Sequence, residues 1–227
     1  MIKDNLEKVR ATLKEGVRLV AVSKTKPVED LQEAYGCGQR LFGENKALEM
    51  RDKHQALPRD IEWHFIGHLQ TNKVKYIAPY VSLIHSIDSI GLLQVVDRDA
   101  LKHGRVIDCL LQFHIATEET KFGLDIREAQ ALMESAEYAR LQNVRIVGVM
   151  GMATNTPDCG LIRREFRTLR SYFDQLADFY FKGHPEFKEI SMGMSHDYEI
   201  AMEEGSTIVR LGTSIFGARD YNIAVND

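Results

Sequence analysis

Short apolar, β-branched runs alternate with longer amphipathic segments along the chain, and this alternation restricts the fold more than any other feature. Candidate strands are residues 18–23, 41–43, 63–66, 83–87, 106–115, 145–150, 189–192 and 207–211. Between them lie helical patterns at 28–35, 45–55, 72–78, 89–102, 125–140, 158–181 and 196–204. An opening helix is predicted at 4–14, with Leu6, Val9 and Leu13 on one face. Strands that alternate with helices predict a parallel sheet. Residues 106–111 are apolar at nearly every position except Asp108, as in strands covered on both faces. Eight strands with intervening helices predict an α/β fold, a closed parallel (β/α)8 TIM-type barrel with an extra N-terminal helix. The alternative is an open doubly wound sheet. Its dinucleotide fingerprint is missing, because neither Gly36-Cys37-Gly38 nor Gly148-Val149-Met150-Gly151 is a G-x-G-x-x-G. A barrel of this kind typically takes about 250 residues and can be shorter, so a single domain over 1–227 is expected. Pro157 and Gly160 are read as bounding a loop, and no repeat or linker is evident.

Composition narrows the partners. Lys plus Arg is 29 and Asp plus Glu is 33, a formal charge of −4, which gives no electrostatic reason to expect nucleic acid or an anionic membrane. No stretch approaches the roughly 20 apolar residues of a membrane span. The first residues, MIKDNLEKVRATLKEG, lack the apolar centre of a signal peptide. Cys37, Cys109 and Cys159 form no C-x-x-C pair, so reduced thiols in a cytoplasmic protein are expected. No His, Cys, Asp or Glu spacing points to a metal, and no P-loop is present.

On this fold, active sites gather where strands end and βα loops begin. The first strand runs into Ser23-Lys24-Thr25-Lys26-Pro27. A lysine held at the barrel mouth is partly desolvated, which lowers its pKa and frees the amine as a nucleophile. A solvated lysine beside Pro27 is the plainer alternative. Periodicity does not choose between Lys24 and Lys26, although Lys24 is nearer the strand. The last strand ends in Arg210-Leu211-Gly212-Thr213-Ser214, at the usual phosphate seat of this fold. There Gly212 permits close backbone approach and Thr213 and Ser214 add hydroxyls; a capped turn with a surface arginine would read the same way. Ser195 follows the seventh strand. It can cap a helix starting near His196, the use sequence favours, or donate to a phosphate at that helix N-terminus. Asn45 closes the second strand and can reach the pocket. His64 reads as a hydrogen-bonded core histidine, the methionines around Gly193 as packing, and Lys121 as a loop charge paired with Glu118 or Glu119.

Taken together, Ala21-Val22-Ser23-Lys24-Thr25-Lys26-Pro27, Phe42-Gly43-Glu44-Asn45, Trp63-His64-Phe65-Ile66-Gly67, Leu69-Gln70-Thr71-Asn72-Lys73, Ser191-Met192-Gly193-Met194-Ser195 and Arg210-Leu211-Gly212-Thr213-Ser214-Ile215-Phe216-Gly217 resemble the pyridoxal phosphate homeostasis protein family. That family is related to the N-terminal barrel domain of alanine racemase. The resemblance runs from about Val20 to Arg219 with the motifs in order. It implies a fold-type III barrel carrying pyridoxal 5′-phosphate (PLP) as a Schiff base on Lys24, not Lys26. It further implies Ser195, Gly212 and Thr213 at the phosphate, Arg210 facing the pyridine nitrogen and Asn45 near the ring. Lys121 aligns with a family lysine proposed for a secondary PLP site. The paired C-terminal lysines of some bacterial members are absent from Tyr221-Asn222-Ile223-Ala224-Val225-Asn226-Asp227.

The implied role is intracellular PLP homeostasis, buffering the reactive aldehyde or delivering it to apo PLP-dependent enzymes, without catalysis. A PLP-dependent amino-acid racemase is the alternative. Racemisation needs an acid/base group on each face of the substrate carbon. Lys24 serves one face; in alanine racemase the opposing tyrosine comes from a second domain of the partner subunit, and eight strands here use the chain up to Leu211. Tyr221 is a conceivable substitute. A PLP-free Schiff-base aldolase is a third reading. With no partner-supplied domain, a monomer is expected.

Overall fold

In the computed structural model, which describes residues 1–117 and 122–218, eight parallel strands close into a barrel in chain order. They are β1 (Arg18–Val22), β2 (Leu41–Glu44), β3 (Glu62–Phe65), β4 (Leu83–Ile87), β5 (Ile107–Phe113), β6 (Val144–Gly151), β7 (Glu189–Ser191) and β8 (Ile208–Leu211). Closure is made by β1 against β8, in register from Arg18 opposite Ile208 to Ala21 opposite Leu211. The helices are α1 (Ile2–Thr12), α2 (Val28–Gly36), α3 (Ala47–Ala56), α4 (Val74–Ile77), α5 (Ile90–Lys102), α6 (Ile126–Glu134), α7 (Cys159–Phe179), α8 (Tyr198–Glu203) and α9 (Thr213–Phe216). Every predicted strand occurs in its predicted place, with ends that move by at most two residues.

Local chemistry sets the helix ends. Ser89 caps α5, accepting from the Leu92 amide at 3.3 Å. Asp125 and Glu128 form a reciprocal capping box on α6, both bonds 2.8 Å. Asp158 caps α7 by accepting from the Leu161 amide, so Gly160 lies in the first turn of that helix and not at the edge of a loop. The predicted 125–140 helix breaks in two. Ser135 turns extended after α6, its hydroxyl donates back to Leu132 O, and a 3-10 turn follows at Tyr138–Arg140. The 72–78 segment likewise begins as a 3-10 turn, Thr71–Lys73, before α4.

The apolar core has two parts. The larger lies between barrel and helices and includes the fully buried Phe42, Trp63, Phe65, Phe113 and Phe166. At about 1.5–3 kcal/mol per large buried side chain, this outer shell supplies most of the hydrophobic stabilisation. The smaller fills the lumen with Val20, Leu83, Leu110, Val147, Met150 and Ile208. Strand alternation sends Arg210 inward with Ile208, and His85 inward with Leu83. Between Cys109 and Leu110 the β5–β6 register shifts, and opposite it Gly148 is obligatory: a Cβ there would lie 1.8 Å from Glu189 O. No helix among the described residues is long and apolar enough to cross a membrane.

Candidate functional site

The C-terminal strand ends bring the predicted residues to one mouth. Lys24 lies two residues beyond β1, half-buried, and Asn45 directly follows β2. β1 pairs with both β2 and β8, so these ends adjoin Arg210 and Gly212. Thr25, next to Lys24, has φ +65°, a left-handed conformation that is strained for a β-branched residue. Its amide donates to Glu49 Oε1 at 2.6 Å, which holds the turn in place.

The structure separates the two lysines that periodicity left equal. Lys26 Nζ donates to Phe216 O at 3.0 Å and Ala218 O at 3.1 Å, at the C-terminal end of α9. Lys26 therefore fixes α9. Lys26→Ala is expected to cost about 1–2 kcal/mol in a urea titration while leaving attachment at Lys24 intact.

Ser195 corrects an expectation. The helix after β7 begins at Tyr198, with no side-chain cap; Asp197 Oδ1 instead accepts from the Met194 amide at 2.6 Å. Ser195 Oγ turns to the start of α9, where it accepts long hydrogen bonds from the amides of Gly212 (3.3 Å) and Ser214 (3.5 Å). Among the described residues its hydroxyl makes no donor bond. Gly212 sits tightly against β1, since a Cβ would lie 3.2 Å from Val22 O, and Thr213, the first residue of α9, is exposed. The strand-eight arginine is not at the surface. Arg210 is only 4% exposed, with Nη1 donating to Ser191 Oγ at 2.6 Å and Nη2 to Gly151 O at 3.2 Å. No carboxylate lies within ion-pair distance of it among the described residues. Burial lowers its pKa to about 10, so it stays a cation at neutral pH. Asn45 Oδ1 is buried and has no hydrogen-bond partner among the described residues. Lys121 and Tyr221 lie outside the described residues.

A network beneath the Lys24 turn escaped sequence reading. Lys53 Nζ, on α3, donates to Ser23 O (2.8 Å), Glu44 Oε1 (2.8 Å) and Glu49 Oε1 (2.7 Å). Ser23 Oγ donates to Glu44 Oε1 at 2.6 Å. The i,i+4 spacing of Glu49 and Lys53 was the available signal. Burial, which outweighs the attraction of Lys53, pushes the Glu44 carboxyl from 4.5 up to about 7. Between those values the folded protein holds a proton that the unfolded chain has lost, so this group's contribution to stability falls as pH rises through the window. Glu44→Gln is expected to flatten that slope. Urea midpoints of both proteins between about pH 4 and pH 8 check it, and parallel curves would contradict it.

Comparison with known proteins adds a second line of evidence. Residues 1–220 match the family model described as alanine racemase, N-terminal domain. A pyridoxal phosphate homeostasis protein of Aquifex aeolicus is 44% identical over 206 residues, covering 90% of this chain and 88% of that protein. PipY of Synechococcus elongatus, solved with PLP bound, superposes with a TM-score of 0.86 at 34% identity, covering 96% of this chain and 100% of PipY. An alanine racemase of Clostridium difficile shares the fold, with a TM-score of 0.72 at 12% identity, over 97% of this chain and 60% of the racemase.

Proposed function

The chain belongs to the pyridoxal phosphate homeostasis protein family, within the wider family of the alanine racemase N-terminal domain, and from that premise we propose that it holds PLP as a Schiff base on Lys24. It buffers or delivers the cofactor in the cytoplasm, as a monomer and without catalysis of its own. Lys24 would hold the cofactor through its amine, which would condense with the aldehyde and release water. PLP itself supplies an electrophilic aldehyde and an electron-withdrawing ring.

The observation that carries this reading is Arg210, a buried cation beside the mouth with no carboxylate partner among the described residues. A buried charge of this kind is costly unless hydrogen bonds satisfy it. Among the described residues, acceptors take two of its five N–H groups, leaving donors for an acceptor such as the pyridine nitrogen. Asn45 Oδ1 has no donor among the described residues, and Ser195 with the first amides of α9 suits a phosphate. The donor set therefore fits PLP.

Arg210 also bears on the use made of the cofactor. It donates to the ring nitrogen but does not give up its proton, so the ring is a weak electron sink. A weak sink is compatible with holding the cofactor and does not by itself exclude racemisation. To test delivery, loaded protein is mixed with an apo PLP enzyme and reactivation followed. Reactivation beyond that from an equal dose of free PLP is expected, and no excess would contradict delivery. An amino-acid screen for α-deuterium exchange would expose a racemase.

A further inference from the structure

Arg210 is the first member of a hydrogen-bonded chain that crosses the barrel lumen. Nη1 meets Ser191 Oγ at 2.6 Å, Ser191 Oγ lies 2.9 Å from His85 Nδ1, and His85 Nε2 lies 3.0 Å from His64 Nδ1. Ser191, His85 and His64 are at most 1% exposed and come from β7, β4 and β3. His64 lines a cavity of about 360 Å³ at the opposite end of the barrel, together with Arg18, Glu62, Asp108, Arg145 and Lys188.

The direction of the chain follows from the chemistry of its first member. A guanidinium only donates, so Ser191 Oγ accepts from Arg210. The single hydroxyl proton of Ser191 then needs an acceptor, and His85 Nδ1 is its remaining partner among the described residues. His85 therefore carries its proton on Nε2 and donates to His64 Nδ1, which places the His64 proton on Nε2. Burial favours neutral rings at both positions, lowering the His64 pKa to about 3 and driving that of His85 well below its ordinary value.

We propose that Ser191 and His85 are positioning residues for Arg210, and that His64 anchors this chain at the far end of the lumen. Their effect is to fix the plane of the guanidinium, so that its remaining N–H groups keep one direction at the mouth. This rests on the reading that Arg210 meets the PLP ring.

The first test needs no cofactor. Nitrogen-15 NMR of histidine-labelled, cofactor-free protein should show two neutral Nε2–H imidazoles for His64 and His85, assigned by their loss in His64→Gln and His85→Gln. A proton on His85 Nδ1 would overturn the chain. The second test uses PLP-loaded protein. Ser191→Ala and His85→Leu should each shift the Schiff-base absorption band and release PLP about tenfold faster. His85→Gln, which can accept from Ser191 and donate to His64, should stay within about threefold of wild type. Should Ser191→Ala fail to fold, the comparison of His85→Leu with His85→Gln still decides. Variants that keep the wild-type band and release rate overturn the inference alone. If borohydride attaches no PLP to Lys24 of the wild-type protein, the cofactor reading falls and the inference falls with it.

Discussion

Replacing Lys24 with alanine is expected to abolish the Schiff-base absorption of the PLP-loaded protein while the barrel stays folded. The side chain sits at a concave mouth, beyond the end of β1, and belongs to neither apolar cluster. Its loss removes the covalent bond but leaves Arg210, Ser195 and the start of α9 in place. PLP should then bind reversibly and dialyse away. Circular dichroism and the urea midpoint should remain close to wild type, within about 1 kcal/mol, because the residue is half-buried and lies beyond the sheet. A persistent near-ultraviolet to visible band in Lys24→Ala that borohydride shifts would place the attachment elsewhere.

Lys53→Met should have the largest effect on stability. The change leaves Glu44, Glu49 and the Ser23 carbonyl without their shared donor, inside a region where both Lys53 and Glu44 are buried. Removing one partner of a buried ion pair costs about 3–5 kcal/mol. The loss should be smaller near pH 5, where Glu44, with a carboxyl pKa raised to about 7, is already protonated in the folded protein. Because Glu49 also holds the strained Thr25 turn, the variant should retain PLP less well even where it remains folded. Urea titrations at two pH values measure the first effect, and dialysis of loaded protein the second. A midpoint unchanged at neutral pH would mean that the network adds no stability.

The barrel was legible because its strands are short β-branched runs set between long amphipathic helices, a pattern that survives errors of a residue or two at each end. What escaped was smaller or non-local. Thr213-Ser214-Ile215-Phe216 is too short to show a helical period, so α9 read as a turn, although its ends are held by Ser195, Lys26 and Asn5. Ser195 resembled an N-cap because its true partners, the Gly212 and Ser214 amides, come from the following strand–helix junction. For Arg210 the residues alone left a surface position and the phosphate seat open, because strand parity does not say that a barrel lumen will hold a cation; burial at 4% exposure decides against the surface. His64 was read as a hydrogen-bonded core histidine, and His85 supplies that bond. His85 shares inward parity with Leu83, but one of its partners, Ser191 on β7, lies 106 residues away in sequence.

Borohydride reduction of PLP-loaded protein, followed by proteolysis and peptide mass mapping, tests the central claim most directly. The reduced PLP adduct is expected on Lys24, with Lys26 unmodified. An adduct on Lys26 or another lysine, or no adduct at all, would contradict the assignment of Lys24 as the cofactor anchor.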